Sequence, residues 1–200
     1  MSPSREALRA LTRRDPVLGA TMRRLPRWPG FPDPQRRRQT HFEALGRAII
    51  YQQLAGKAAA TIHGRVCALT PGPRLPKPEE LLGLPETRLR GAGLSGNKMA
   101  ALLDLASRIA EGRLRTRGLG RLPDDEVVAR LVEVRGIGVW TAQMFLMFKL
   151  GRLDVLPVGD LGVQEGARRL DGLDARPSPQ ELEERGEVWG PLRSVASWYL

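Results

Sequence analysis

The stretch Leu131–Asp160, LVEVRGIGVWTAQMFLMFKLGRLDVLPVGD, decides the fold. It reads as the end of one helix, a four-residue hairpin (Arg135-Gly136-Ile137-Gly138), a second helix over Val139–Leu150, a short basic loop, and an acidic residue. The first helix is expected to start at Asp124 as N-cap, with Asp125 and Glu126 suited to the positive end of the helix. Val127, Val128, Leu131, Val132 and Val134 then recur at helical spacing. Gly136 and Gly138 interrupt that spacing where the backbone has to turn tightly. Val139–Leu150 is apolar on nearly every face, which predicts deep burial. A glycine turn opening a helix presents unpaired amides beside a positive helix end, a good seat for phosphate. By itself the Gly-x-Gly pattern fits an ordinary helical hairpin as well.

The charge balance points the same way as the hairpin. Lys and Arg number 32 against 22 Asp and Glu, a net charge of +10 with a pI near 11.0. Such a surface selects a polyanion, with nucleic acid ahead of a membrane surface. Most of the basic residues are Arg, the better side chain for bidentate phosphate contacts. No apolar run reaches membrane-spanning length, and the arginine-rich N-terminus lacks the hydrophobic segment of a secretory signal. The single cysteine, Cys67, lies on a helix expected to be buried and cannot form an intrachain disulfide, which fits a cytosolic protein. One cysteine cannot ligate an iron–sulfur cluster, and His41 and His63 alone make a zinc site a poor fit.

The rest of the chain reads as short helices and basic loops. Arg5–Arg13 and the segment after Asp15-Pro16 are helical, followed by a proline-rich loop (Leu25–Pro34) and the run Arg36-Arg37-Arg38. Thr40–Leu69 reads as one long helix or two joined ones. Thr40 and Glu43 stand at capping-box spacing, and Phe42, Leu45, Ile49, Ile50 and Leu54 form an apolar stripe. A second glycine-rich turn, Leu89–Lys98, opens a helix capped by Ser95 or Asn97 with Met99, Leu102, Leu103, Leu105, Ala106 and Ile109 inward. Arg113–Arg121 is a basic connector. A helix follows Asp160, Ser178 caps Pro179–Gly186, and Trp189–Leu200 reads as the closing helix.

The form Gly-Ile-Gly-x-Trp-Thr-Ala, followed by Leu156-Pro157-Val158-Gly159-Asp160, resembles the helix–hairpin–helix DNA glycosylases with a Gly/Pro-rich loop and aspartate (HhH-GPD). It looks most like their DNA-3-methyladenine glycosylase II branch, with weaker echoes from about His41 to Tyr199. The resemblance implies an all-α, two-lobed fold, one lobe from residues 1–45 and 161–200, the other from 46–160, with the active site in the cleft between. It implies removal of alkylated bases, 3-methyladenine first and 7-methylguanine next, from double-stranded DNA. The chain is then expected to work as a monomer in the cytoplasm at the nucleoid, or in the nucleus of a eukaryote.

Residue by residue, the resemblance makes Asp160 the catalytic carboxylate, although an aspartate there also suits the N-cap of the following helix. Trp140 matches an aromatic near the base pocket, and Met144 and Leu161 stand where some relatives have aromatics. Trp198 and Tyr199 are placed as pocket wall, with core packing as the alternative. Tyr51–Ala59 resembles the segment that enters the duplex. Leu54 is then the wedge that fills the gap left by a flipped nucleotide, or else a core leucine, and Gln52 and Gln53 touch neighbouring bases. Gly136, Gly138 and the Thr141 hydroxyl or amide face the DNA backbone, with Arg135 as an added phosphate contact and Lys98 as either another or a part of a structural turn. The carbonyls of Val132, Val134 and Ile137 would hold a Na+ or K+ ion at the hairpin; no catalytic cofactor is implied. Bifunctional relatives carry a lysine just after the hairpin. Val139-Trp140 stands there instead, and Lys149 lies at the helix's far end, so water is the expected nucleophile. Two rivals remain: a glycosylase for another lesion, and a helix–hairpin–helix module that binds DNA without catalysis.

Overall fold

Side-chain caps start six of the described helices near where the sequence puts them. In the computed structural model, which describes residues 3–32 and 38–200, every regular element is helical. Helix α1 (Arg5–Arg14) is capped by Ser4, and α2 (Pro16–Arg24) by Asp15 with Pro16 in its first turn. Thr40 and Glu43 form the expected capping box on α3 (His41–Tyr51). Then come α4 (Gly56–Cys67), α5 (Pro78–Leu82), α6 (Glu86–Gly91) and α7 (Gly96–Ala110), the last capped by Ser95 rather than Asn97. Helix α8 spans Asp124–Val132, with Pro123 as N-cap and Asp124 one residue inside the helix. Helix α9 (Val139–Phe145) runs on as a π turn over Leu146–Leu150. The chain closes with α10 (Leu161–Asp171), α11 (Pro179–Gly186, with the Ser178 capping box) and α12 (Arg193–Tyr199).

Of the two readings of Thr40–Leu69 the structure takes the pair of helices, because Gln52–Ala55 leaves helical geometry; Gln53 takes a φ of 53°. Three sequence expectations change. Leu54 therefore leaves the apolar stripe and sits on an exposed loop. The closing helix starts at Arg193, since Glu187–Trp189 forms a 3-10 turn and Gly190 and Pro191 break the run. The second hairpin helix is not buried throughout: Val139, Trp140 and Phe148 are exposed while Phe145, Leu146 and Met147 are inside.

The described residues gather into two compact units, one drawn from Met1–Arg37 and Gln143–Leu200, the other from Arg38–Ala142. Both boundaries fall earlier than the expected 45 and 160. The whole of α3 packs on α4 and α7, so it belongs with them. The loop ending at Asp160 is bonded to the C-terminal helices: Ser194 Oγ accepts from the Val155 amide at 2.9 Å, and Arg193 pairs bidentately with Asp154 at 2.8 Å on both arms. In the first unit, Leu11, Leu18, Val163, Leu182, Trp189 and Val195 form the core. In the second, Leu45, Ile49, Leu81, Leu89, Leu102 and Leu105 are fully buried. Arg36 and Arg37 of the arginine run lie outside the described residues. Among the described residues no helix is long and apolar enough to cross a membrane.

Candidate active site and nucleic-acid interface

The loop Leu153–Asp160 is held from several sides, and that fixes where Asp160 points. Besides the Ser194 and Arg193 contacts, Gln143 Nε2 donates to the Leu156 carbonyl at 3.5 Å and Gln164 Nε2 to the Val158 carbonyl at 2.8 Å. The Ser194 hydroxyl returns a bond to the Val155 carbonyl at 3.2 Å. Adjacent Arg193 and Ser194 thus pin this loop, a role the sequence alone did not disclose. The paired Arg193 guanidinium holds the Asp154 carboxyl below the usual carboxylate range, despite partial burial.

Asp160 is the N-cap of α10. Its Oδ1 accepts from the Gly162 amide at 2.7 Å and the Val163 amide at 3.1 Å. The carboxylate therefore sits at the positive end of a three-turn helix, fixed by two amides and half-exposed. Capping and chemistry coexist here, because a carboxylate has about four lone-pair sites and the amides use only some.

A pocket of about 310 Å³ opens in the same unit, at the small end of ordinary ligand pockets. Asp160 is its one carboxylate. Met144, Met147, Phe148, Pro157, Val163, Trp198 and Leu200 give it an apolar lining, with Gly162 and Ser197 completing the wall. Phe148 is backed edge-on by Phe31 at 4.7 Å between ring centres. An apolar, polarizable cavity with one acidic side chain in its lining suits an electron-poor or cationic ring.

Of the residues expected around a base, the structure brings together Asp160, Met144 and Trp198. Leu161 is 64% exposed at the first turn of α10 and does not line the pocket. Tyr199 is 7% exposed; its hydroxyl accepts from the Trp28 amide at 2.9 Å, and its ring meets Trp198 edge-on at 4.8 Å. Neighbours on a helix point about 100° apart, so Trp198 faces the pocket while Tyr199 enters the core. Trp140 belongs to the other unit, 46% exposed in the first turn of α9. Met147, Phe148 and Ser197 are pocket residues that periodicity did not separate from core.

The second unit carries the hairpin. Gly136 has a φ of 76°, and a methyl group added there would meet the Ala101 methyl at 3.0 Å. Gly138 has open space around it. The Arg135 amide donates to Asp104 Oδ2 at 2.8 Å, leaving the Arg135 side chain exposed. Thr141 is buried and its hydroxyl accepts from Gln52 Nε2 at 3.3 Å, so it serves the hairpin from within rather than facing outward. Gln52 Nε2 also donates to the Gly136 carbonyl at 2.8 Å, in place of the expected base contact. Lys98 is committed too. Its ammonium donates to the Ile50 carbonyl at 2.7 Å, and burial draws its pKa below the usual lysine range. Leu54 and Gln53 are exposed on the loop between α3 and α4. Val132 is exposed, while Val134 and Ile137 are buried.

These glycines differ in a testable way. Gly136→Ala forces a side chain into left-handed geometry, which costs about 1–2 kcal/mol, and crowds α7; a lower melting temperature is expected. Gly138→Ala meets nothing in the free protein, so its melting temperature should stay unchanged while affinity for duplex DNA falls. Thermal melts alongside fluorescence-anisotropy titrations check both.

Residues 47–191 match the family described as HhH-GPD superfamily base excision DNA repair protein, and the chain belongs to that superfamily. It is similar to DNA-3-methyladenine glycosylase 1 of Schizosaccharomyces pombe, 34% identical over 170 residues that cover 84% of this chain and 75% of that protein. Among solved structures it resembles the 3-methyladenine DNA glycosylase of Schizosaccharomyces pombe in complex with abasic DNA. That match has a TM-score of 0.86 and 30% identity, covering 97% of this chain and 94% of the other. It also resembles a DNA-3-methyladenine glycosidase from Bacillus halodurans, with a TM-score of 0.86 and 34% identity over 100% of this chain and 89% of the other.

Proposed function

We propose that this protein is a monofunctional DNA glycosylase that hydrolyses the N-glycosidic bond of alkylated bases, 3-methyladenine and 7-methylguanine, in double-stranded DNA. The observation that carries the reading is Asp160 at the edge of the apolar pocket, in a chain whose relatives are named for 3-methyladenine. As the bond from C1′ to the base nitrogen breaks, its electrons leave with the base and positive charge grows on the sugar. The Asp160 carboxylate stabilises that charge and orients a water molecule, whose oxygen bonds to C1′ as its proton passes to that carboxylate. An alkylated base that already carries positive charge leaves neutral, so no protein acid is needed. Trp198 and the methionines favour such a ring by stacking and cation–π attraction worth about 0.5–2 kcal/mol.

At the hairpin, Gly136, Gly138 and the Arg135 guanidinium take the DNA backbone, and Gln53 and Leu54 meet the duplex. The carbonyls of Val132, Val134 and Ile137 fit a Na+ or K+ ion. Among the described residues no backbone amide donates to those of Val132 and Ile137, and that of Val134 accepts only from Ile137. Such an ion would lend positive charge to the phosphate seat. The two units act as one glycosylase domain, as a monomer, in the compartment that holds the chromosome.

Base release from methylated duplex DNA, resolved by chromatography with strand nicks scored before and after alkali, tests the reading. Methylated bases should appear, with nicks only after alkali. Nicks without alkali would overturn the monofunctional assignment. Tight DNA binding without any base release would leave a binding module.

A further inference from the structure

The wedge loop and the hairpin are far apart in sequence, yet one face of α7 holds both. Lys98, Ala101 and Asp104 follow one another at three-residue steps along that helix. Lys98 donates to the Ile50 carbonyl in the last turn of α3, just before the loop that exposes Leu54. Asp104 accepts from the Arg135 amide, and the Ala101 methyl lies against Gly136. Asp104 is itself held by Arg108 Nε at 3.0 Å, so its charge is offset beside the hairpin. One contact then joins loop to hairpin directly. Gln52 Nε2 reaches the Gly136 carbonyl at 2.8 Å and Thr141 Oγ1 at 3.3 Å. A carbonyl can only accept, so the amide must present its NH₂ there. The next residue, Gln53, is the only non-glycine with positive φ among the described residues. A conformation so unfavourable for a side-chain-bearing residue persists only where its surroundings hold it.

We propose that Gln52 is a positioning residue: its side-chain amide straps the loop carrying Leu54 to the phosphate-binding hairpin, so that gripping the backbone and inserting the wedge occur as one event. The proposal rests on the glycosylase reading for the roles of Leu54 and the hairpin. It assigns Gln52 to the protein's own hairpin instead of to a base edge. Without the strap, the hairpin still binds phosphate, but Leu54 reaches the helix from a loop with more conformations to lose.

Gln52→Met keeps length and bulk and removes the donor. Gln52→Glu keeps length and sets a carboxylate against a carbonyl at neutral pH; on protonation it regains one donor. Each is compared with Leu54→Ala and with the Gln52→Met/Leu54→Ala double variant. The readout is stopped-flow fluorescence of 2-aminopurine placed beside a tetrahydrofuran abasic analogue in duplex DNA. It is paired with affinity for undamaged duplex and with kcat and KM for base release. Gln52→Met should bind undamaged duplex within about twofold of wild type while the fluorescence rate and kcat fall about tenfold, the worth of one or two lost hydrogen bonds. The double variant should be no slower than Leu54→Ala alone. Gln52→Glu should be slower than Gln52→Met at pH 7.5 and recover toward it as pH falls to 5.

Additive losses in the double variant would overturn the strap, because Gln52 would then act apart from Leu54. A fall in undamaged-duplex affinity as large as that of Gly138→Ala would overturn it too. The fluorescence step breaks no bond, so its result is independent of whether the protein releases a base. A wild type that gives the fluorescence change but releases nothing sinks the glycosylase reading and leaves the strap standing. A wild type with no fluorescence change sinks the strap.

Discussion

Asp160→Asn should lower the single-turnover rate of 3-methyladenine release by about 10²–10⁴-fold, the usual loss for a group of this role, with little change in melting temperature or in affinity for undamaged duplex. The substitution isolates charge because the local geometry survives it. Asp160 Oδ1 accepts from the Gly162 and Val163 amides, and asparagine is about as good an N-cap as aspartate. Helix α10 therefore starts where it did, and the pocket keeps its shape. What disappears is the negative charge that the proposed mechanism sets next to the sugar, and with it the capacity to take a proton from water. Asp160→Ala makes the comparison sharper. It also removes the cap, at a further cost of about 0.5–2 kcal/mol in stability, yet should be no slower in base release than Asp160→Asn. The check is quench-flow with methylated duplex under enzyme excess, together with thermal melts of all three proteins. If Asp160→Asn released bases at the wild-type rate, the carboxylate would be a cap and nothing more.

The hairpin and its aspartate were legible in the sequence because their signals are local. Glycine needs no neighbour to permit a positive φ, and Asp160 stands immediately before a helix-forming run. The caps at Thr40 and Ser178 were readable for the same reason, and the one before α7 was narrowed to Ser95 or Asn97. What could not be read is tertiary. Gln52, Lys98 and Thr141 have the chemistry of surface DNA contacts, and only the fold reveals that their polar atoms are bonded within the protein. The break at Gln52–Ala55 carries no proline, and a glutamine at positive φ has no sequence signature. Trp198 and Tyr199 are adjacent aromatics of similar size, so composition cannot choose which one faces the pocket. The Arg-Ser pair at 193–194 reads as two ordinary residues of the closing helix until the Leu153–Asp160 loop is seen bonded to it.

The largest stability effect is expected at Asp15. This carboxylate is 4% exposed and accepts from three donors on three elements. Oδ1 accepts from the Leu18 amide at 2.9 Å; Oδ2 accepts from Trp189 Nε1 at 2.7 Å and from Arg185 Nη2 at 2.6 Å. Arg185 also bonds Asp171 Oδ2 at 2.7 Å and lies over the Trp189 ring at 4.9 Å. Asp15→Asn keeps the helix cap but turns an NH₂ toward the Trp189 and Arg185 donors. Two buried donors then face a third, and Arg185 loses half of its charge balance. Breaking a buried pair from one side costs about 3–5 kcal/mol, equivalent to a melting temperature lower by roughly 6–20 °C for a chain of this size. Trp189→His would confound volume with charge, so Trp189→Phe is the better control: it drops one donor and should cost less. The pH dependence has a definite sign. Burial raises the Asp15 pKa, but the Leu18, Trp189 and Arg185 hydrogen bonds outweigh it and leave the folded value lowered. The stability this network contributes is therefore complete above the unfolded aspartate pKa of about 3.9 and is lost as pH falls through the lower folded value. Melts between pH 7 and pH 2.5 should show the wild type losing stability steeply at the acid end, with Asp15→Asn already low at pH 7 and losing less. Parallel curves would mean that other carboxylates, such as Asp154 against Arg193, dominate the acid limb.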